Sequence, residues 1–417
     1  MITLGKGRRT MAESALPFTS QGNRVGLWLI RALVFAAFFD LFVQYPVAAP
    51  YAVALGASSA LVGLIVAAYS IANLLANVGA GIVLDRWGRT RPLLVGLIAT
   101  AAVVAGYTLV RSPVQLVGLR LLHGLVVAVL APGAFALAGD VARTEDRARV
   151  MGSNGAVIAV AAIVAPSFAG VIQERGGFHT VFLFDATLLL IVACLLWLFR
   201  AHLRPLDLGR SITMSDSTRW STLLRQQFAP YSTILGFTVA LGVLVTHVPE
   251  RLQALGISPA VRGAAFSLYG LLAAAVMISP VSGRLIRQQW SIGAAVGAGL
   301  IALGLLIASG LGMSSPTIVE WATLFGAAVF GFGFGLLFPA VTAEVARRVP
   351  RQARGRAFGF FYAVYSLGVI LGALAAGWLA EFGGLTSGWP FLAGALVVAG
   401  GSIIPLVERR VREEAAV

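Results

Sequence analysis

The chain has 417 residues, of which 58% are hydrophobic and only 12% are charged. A soluble globular protein carries roughly a quarter charged residues, so this composition excludes a water-soluble class. The net charge is +14, and arginine supplies nearly all of it because Lys6 is the only lysine. The arginines form short, regularly spaced clusters instead of one basic patch, so we expect no nucleic-acid partner.

Apolar windows recur along the whole chain, and a helix needs about 20 such residues to cross the hydrocarbon core. We predict twelve membrane-spanning helices, at residues 25–48, 59–84, 92–110, 114–139, 150–172, 180–199, 229–248, 262–286, 291–312, 317–342, 357–379 and 388–406. Unpaired backbone groups are costly in lipid, and these runs lack the alternation of barrel strands. The predicted fold class is an all-α membrane protein, and the first run is too long for a cleavable signal core.

The arginines are distributed asymmetrically between alternate loops. If both termini are cytoplasmic, the outside holds only Arg111, Arg175, Arg251 and Arg262. This bias follows the positive-inside rule. We therefore expect a multi-pass protein of the cell inner (cytoplasmic) membrane with both termini in the cytoplasm.

An internal repeat divides the chain into two halves. Residues 132–177 align with residues 339–384 without a gap, and the longest hydrophilic connection separates six spans from six. Two parallel six-helix repeats with a site between them form a transporter architecture. The predicted domains are a tail (1–24), a six-helix bundle (25–200), a linker (201–228), a second bundle (229–407) and a short tail (408–417), the bundles being related by pseudo-two-fold symmetry.

A charged, glycine-containing segment follows the second span. It reads Gly81-Ile-Val-Leu-Asp85-Arg86-Trp87-Gly88-Arg89-Thr90-Arg91. This segment resembles the loop signature of the major facilitator superfamily, which implies two six-helix bundles that rock about a central site. We expect Gly81 to permit close helix approach and Gly88 to supply a turn conformation.

The resemblance also implies a cytoplasmic gate that latches the two halves together near Ala357. Its predicted residues are Gly81, Asp85, Arg86, Gly88, Arg89, Arg91, Asp140 and Arg147. The alternative is that the arginines only set the topology. Topology alone requires neither Asp85 nor the two glycines.

The fourth span contains a buried arginine in the segment Leu116-Val-Gly-Leu-Arg120-Leu-Leu-His123-Gly124. The segment resembles a second family motif, whose arginine is associated with proton-coupled members. An arginine inside a span should face the bundle interior and have an anionic partner. Counted at about 1.5 Å per residue, Asp40 lies at a similar depth, so we predict that Asp40 binds and releases a proton while Arg120 tunes it. A permanent Asp40–Arg120 ion pair is the alternative, and Asp185 is either a second titrating group or a packing partner.

Several polar and aromatic side chains are candidates for a substrate cavity. They are Tyr69, Asn73, Asn77, His123, Phe334, Phe338, Phe361 and Tyr365. The aromatic residues suit a lipophilic substrate, but phenylalanines in membrane helices also pack or face lipid. Tyr69, Asn73 and Asn77 share one helix face, where they line the pathway or bond across helices. His247 and Glu250 end the seventh span, where we expect solvent.

The fifth span carries Ala161-x3-Ala165-Pro166-x2-Ala169-Gly170, whose small residues and proline suit a gate. With Ala165, Pro166 and Gly170 it resembles the motif of the twelve-helix drug:proton antiporter family. That resemblance implies proton-coupled export of small amphipathic or lipophilic compounds by alternating access. The alternative is an importer or facilitator of a polar metabolite or organic anion attracted to Arg120.

Other classes of protein find little support in the residues. No phosphate-binding loop of the G-x-x-x-x-G-K-[ST] type occurs, so ATP is not expected to drive the protein directly. The four histidines are scattered and Cys194 is the only cysteine, so we expect no metal site, no disulfide and no other cofactor. We expect no enzyme activity. The predicted partners are a small-molecule substrate, protons and membrane lipids, and the expected state is a monomer.

Overall fold

The computed structural model describes residues 20–141, 147–203, 224–280, 289–310, 315–350 and 354–414. Within these ranges the chain is helical and contains no strand. The helices are α1 (Ser20–Ala54), α2 (Ser59–Trp87), α3 (Thr90–Gly106), α4 (Pro113–Val127), α5 (Leu130–Val141), α6 (Arg147–Leu198), α7 (Phe228–Ala254), α8 (Pro259–Ile278), α9 (Trp290–Ser309), α10 (Pro316–Arg347), α11 (Arg354–Gly383) and α12 (Trp389–Glu414).

Eleven stretches of the described chain are long and apolar enough to cross a membrane. The fourth predicted span is divided between α4 and α5, and α6 contains both the fifth and the sixth. α6 is broken at Gly177, where a φ of 75° lies outside the helical region and favours glycine. Gly384, which aligns with Gly177 in the internal repeat, has a φ of 85°. The predicted all-α membrane fold is confirmed.

Serine caps fix where three of the helices begin. The hydroxyl oxygens of Ser58, Ser112 and Ser258 accept hydrogen bonds from backbone N–H groups in the first turns of α2, α4 and α8. Proline occupies the first turn of α4 and α8, where its missing N–H costs no helical bond. These caps set the helix registers at one end of the bundle. We call it the arginine-poor end, and we call the opposite end, with Arg86, Arg89 and Arg347, the arginine-rich end.

Glycines allow the two halves, residues 20–203 and 224–414, to touch closely near the arginine-poor end. α2 packs along α11, and α6 packs along α8. A Cβ added at Gly63 would lie 2.5 Å from the carbonyl oxygen of Ala373, and one at Gly263 would clash with that of Pro166. Small residues at both crossings therefore bring the helix backbones into contact.

Polar contacts between the halves occupy the same region. Ser167 and Ser267 hydroxyls lie 2.7 Å apart between α6 and α8. The Ala60 N–H, in the first turn of α2, donates to the Glu381 carboxylate of α11 at 3.1 Å. An anion at a helix N-terminus is favourable because the first N–H groups have no helical acceptor.

Glycines near the arginine-rich end have different surroundings. Apart from the backbone of its own helix, a Cβ added at Gly81, Gly152, Gly155 or Gly359 would meet no atom within 4 Å. The prediction that Gly81 mediates close helix approach is therefore wrong for this conformation. Among the described residues, the halves are therefore in close contact near the arginine-poor end, and the glycines near the arginine-rich end face open space.

The Gly263→Val substitution should destabilise this conformation, because the added methyl groups meet the backbone of α6. Overpacking of this kind typically costs about 1–3 kcal/mol. We expect a melting temperature in detergent several degrees below that of the Gly155→Val control, which places the same side chain on α6 in open space. Equal melting temperatures for the two variants would contradict the close crossing of α6 and α8.

Candidate functional site

A buried chain of polar side chains lies inside the first half. The Asp40 carboxylate of α1 contacts the His123 imidazole of α4, with Oδ2 and Nε2 3.0 Å apart and both side chains 0% exposed. The other ring nitrogen of His123 lies 2.9 Å from the Tyr107 hydroxyl. Tyr51 in turn donates to the Tyr107 carbonyl oxygen at 2.6 Å. Each member of the chain has its position fixed by the next, as buried polar groups require.

A second buried carboxyl group adjoins this chain. Asp185 of α6 is fully buried, and its carboxyl lies within hydrogen-bonding reach of that of Asp40. Neither Asp185 oxygen, nor Asp40 Oδ1, has a hydrogen-bond donor among the described residues. The polar group that Asp185 packs against is therefore another carboxyl.

Arg120 lies one helical turn from His123, but it does not pair directly with Asp40. Its described hydrogen bonds go to the Gln44 side-chain oxygen at 3.4 Å and the Ile65 carbonyl oxygen at 3.3 Å. Asp40 is therefore not the direct anionic partner of Arg120, and the alternative of a permanent Asp40–Arg120 ion pair is wrong for this conformation: Asp40 contacts His123, and Arg120 contacts Gln44. The coupling role of Asp40 and Arg120 stays a prediction. Counting depth from uncertain helix ends cannot resolve one turn of about 5.4 Å, so it could not distinguish Arg120 from His123 as the neighbour of Asp40.

Tyr69 of α2 closes the cluster from the side. The Arg120 guanidinium lies 4.9 Å from the centre of the Tyr69 ring, and the His123 ring lies 5.1 Å from it. One turn along α2, Asn73 donates to the Gly124 carbonyl oxygen at 3.3 Å and accepts from Asn77 at 2.8 Å. Asn73 therefore bonds across helices, whereas the Asn77 side chain is exposed.

The predicted aromatic residues of the second half form one packed cluster. Phe334 stacks on Phe237 with ring centres 4.7 Å apart and also contacts Phe338 at 5.2 Å. Phe338 contacts Phe361 at 6.2 Å, and Tyr365 contacts Phe237 at 6.3 Å. Phe361 is fully buried and His123 is likewise inaccessible, so neither lines an open cavity here. Phe334, Phe338 and Tyr365 remain partly accessible.

Two tyrosines that the sequence analysis did not single out join the halves. Tyr45 of α1 contacts Phe266 of α8 with ring centres 5.7 Å apart. The phenol groups of Tyr269 and Tyr365 both lie close enough to Tyr45 for electrostatic interaction. A tyrosine hydroxyl inside an apolar span needs a hydrogen-bond partner or a polar cavity. Since the chain has only 8 tyrosines, those within predicted spans could have been selected from the sequence as candidate cavity residues.

The gate residues near the arginine-rich end are partly described. Gly88 has a φ of 78° and ends α2, in agreement with the predicted turn. Arg89 pairs with Asp140 at 3.5 Å, a contact within the first half. Arg86 and Arg91 are exposed. The side chains of Asp85 and Arg147 lie outside the described residues, so the latch across the halves stays a prediction.

The predicted motif of the fifth span lies at the contact between α6 and α8. Ala165 and Pro166 are buried, and a Cβ at Gly170 would clash with the carbonyl oxygen of Pro259. Its position therefore suits the gate role expected from the sequence.

His247 and Glu250 are buried, which corrects the expectation that they are solvated. In the described part of the chain, no group of three or more His, Cys, Asp or Glu residues has the geometry of a metal site.

Comparisons with known proteins agree with this architecture. Residues 32–319 and 295–416 match the Major Facilitator Superfamily. The chain is 23% identical over 386 residues to the inner membrane transport protein YajR of Escherichia coli (strain K12), covering 91% of this chain and 82% of YajR. It is 23% identical over 395 residues to multidrug resistance protein 2 of Bacillus subtilis (strain 168), covering 93% and 96% of the two chains.

A solved structure has the same fold. The crystal structure of a bacterial homologue of the human lysosomal transporter Spinster, in an inward-facing conformation, superposes with a TM-score of 0.76 at 17% identity. The match covers 94% of this chain and 98% of that one. Since the family match spans nearly the whole sequence, this protein belongs to the Major Facilitator Superfamily and is a membrane transporter.

Proposed function

We propose that this transporter exports small amphipathic or lipophilic compounds in exchange for protons, by alternating access. The observation that carries the proton coupling is the Asp40–Asp185 pair. Three of its four carboxyl oxygens are buried without a donor among the described residues. Two ionised carboxylates in this position would repel each other, whereas one shared proton would give the pair a hydrogen bond.

His123 connects this proton to the rest of the first half. Its Nε2 faces Asp40, and its Nδ1 faces the Tyr107 hydroxyl, which can either donate or accept. The imidazole can therefore stay bonded in its neutral and its charged form. A group bonded in both forms suits repeated loading and unloading of a proton.

The contacts between the halves indicate which side of the membrane the central site faces in this conformation. By the positive-inside rule, the arginine-rich end is cytoplasmic. The halves touch near the arginine-poor end, so this conformation corresponds to an inward-facing state. In that state an exporter loads its substrate and releases its proton to the cytoplasm.

The substrate class is inferred from the surface between the halves. Tyr45 of the first half lies near Tyr69 and opposes Tyr269 and Tyr365 of the second half, where Tyr269 contacts Phe334. No hydrogen bond is described for these four phenol hydroxyls. Aromatic faces with a few hydroxyls suit a flat, largely apolar molecule that carries polar atoms. The name of the Bacillus subtilis relative is in keeping with this class.

One observation favours a second candidate, transport of an organic anion. Arg120 is buried, and the hydrogen-bond partners described for it, which include Gln44, Ile65 and Tyr107, are neutral. A carboxylate or sulfonate of a substrate would be attracted to this guanidinium. Uptake into everted vesicles distinguishes the candidates. An exporter that exchanges its substrate for protons takes up rhodamine 6G, a lipophilic cation, only when a proton gradient is present. A facilitator of anions equilibrates fluorescein without a proton gradient.

Replacing Asp40 by Asn should remove proton coupling, since the amide cannot exchange a proton with Asp185. We expect purified wild-type protein in weak buffer to release about one proton per molecule of bound rhodamine 6G. Asp40→Asn and Asp185→Asn should each release less than about a tenth of that amount. The control Glu174→Gln alters an exposed carboxylate on α6 and should behave as wild type. Undiminished release from Asp40→Asn would remove this residue from the mechanism.

Replacing Phe334 by Ala should weaken rhodamine 6G binding roughly tenfold, because an aromatic contact and its stack on Phe237 are lost. The matched control is Phe325→Ala on the same helix, whose side chain is 62% exposed on the outer face of the bundle. Fluorescence anisotropy with detergent-solubilised protein measures both affinities. Equal losses in the two variants would count against a cavity at Phe334.

A further inference from the structure

A second pair of buried titratable groups lies at the arginine-poor end, far from Asp40 in the chain. Glu250, in the last turns of α7, is 1% exposed. Its Oε1 accepts a hydrogen bond from the Ser59 hydroxyl of α2 at 2.7 Å. Because α2 and α7 belong to different halves, this bond exists only while the halves touch at that end.

The other Glu250 oxygen faces a histidine. Oε2 lies 3.7 Å from Nδ1 of His247, one turn earlier on α7, and neither atom has a hydrogen-bond partner among the described residues. The His247 ring is 0% exposed and packs against the Phe391 ring at 5.1 Å. Water is therefore kept away from both groups.

Both ring nitrogens of His247 face acceptors. Nε2 lies 3.3 Å from the Ser387 carbonyl oxygen, and Nδ1 faces the Glu250 carboxylate. A neutral imidazole has one N–H and therefore leaves a lone pair directed at an oxygen. Adding one proton removes that conflict, whether it makes the imidazole an imidazolium or protonates the Glu250 carboxylate. In water at neutral pH, by contrast, an imidazole is mostly neutral and a carboxylate is ionised, so the pair holds one proton fewer.

Neighbouring charges do not replace that proton. Arg251, next to Glu250 on α7, donates to the carbonyl oxygens of Ala308 and Ser309 at 3.1 and 2.6 Å and lies over the Phe391 ring. Glu381 of α11 is occupied by the Ala60 N–H. The other groups described in contact with the pair, which include Ser59 of α2, Ser387 just before α12 and Phe391 of α12, are neutral.

We propose that His247 and Glu250 form a second proton-binding site, which takes up one proton when the halves close at the arginine-poor end. When that end opens, Glu250 separates from Ser59, water reaches the pair, and the proton is released at neutral pH. Since the closed state binds more protons, lower pH favours closure, by up to about tenfold in the closed-to-open ratio per pH unit. This proposal requires neither the proposed proton coupling at Asp40 nor a particular substrate.

The distance between the halves at this end tests the proposal directly. Cys194 is the only cysteine, so a Cys194→Ala background accepts spin labels at Ala54 and Ala254, exposed positions at the ends of α1 and α7. Electron–electron resonance on full-length protein in lipid nanodiscs gives the closed fraction between about pH 5.5 and pH 8.5. We expect the short distance to gain population as the pH falls.

Variants separate the pair from other titrating groups. Glu250→Gln keeps an uncharged acceptor for the Ser59 hydroxyl, so this variant should stay closed at the arginine-poor end at every pH. His247→Gln should reduce the change of the closed fraction with pH at least threefold. His179→Gln changes an exposed histidine of α6 and should retain the wild-type response. A wild-type distance that does not change with pH, or a Glu250→Gln variant that responds as wild type does, overturns the proposal even if His247→Gln fails to fold.

Discussion

The buried contact between Asp40 and His123 is the constraint around which the first half is built. Charged groups are expensive inside a membrane protein, so each must be bonded or neutralised where it lies. α4 supplies His123, α3 leads into Tyr107, and α6 adds a second carboxyl, Asp185, that has no described donor. The simplest way to satisfy this cluster is a bound proton, which makes it responsive to pH and to anything that changes its surroundings.

The rest of the fold determines which side of the membrane can reach that cluster. Backbone contacts at Gly63 and Gly263 close the halves near the arginine-poor end, while Gly81 and Gly155 face open space near the other. Tyr45 and Tyr269 lie between these regions, so a substrate held there would touch both halves. Movement of one half against the other would then change the surroundings of substrate and proton together.

The sequence was sufficient for the architecture because its signals are long and repeated. Twelve apolar windows, the arginine asymmetry and the loop around Asp85 and Gly88 each cover many residues, and errors of a few residues do not alter the fold. Individual contacts were harder, since counting along a helix gives depth but not the partner across the interface. Asp40 was therefore assigned to Arg120, one turn from its actual neighbour His123. The burial of His247 comes from Ser387 and Phe391, which are distant along the chain, so no local pattern encodes it.

The central claim is that Asp40 and Asp185 share a bound proton, and infrared spectroscopy measures this directly. A protonated carboxylic acid has a carbonyl stretching band distinct from the bands of a carboxylate. Wild-type protein at neutral pH should show such a band with the character of a buried, hydrogen-bonded acid, and Asp40→Asn and Asp185→Asn should each shift or remove it, because either substitution abolishes the carboxyl–carboxyl contact. A wild-type spectrum without the band, or a band that persists unchanged in both variants, would contradict the account.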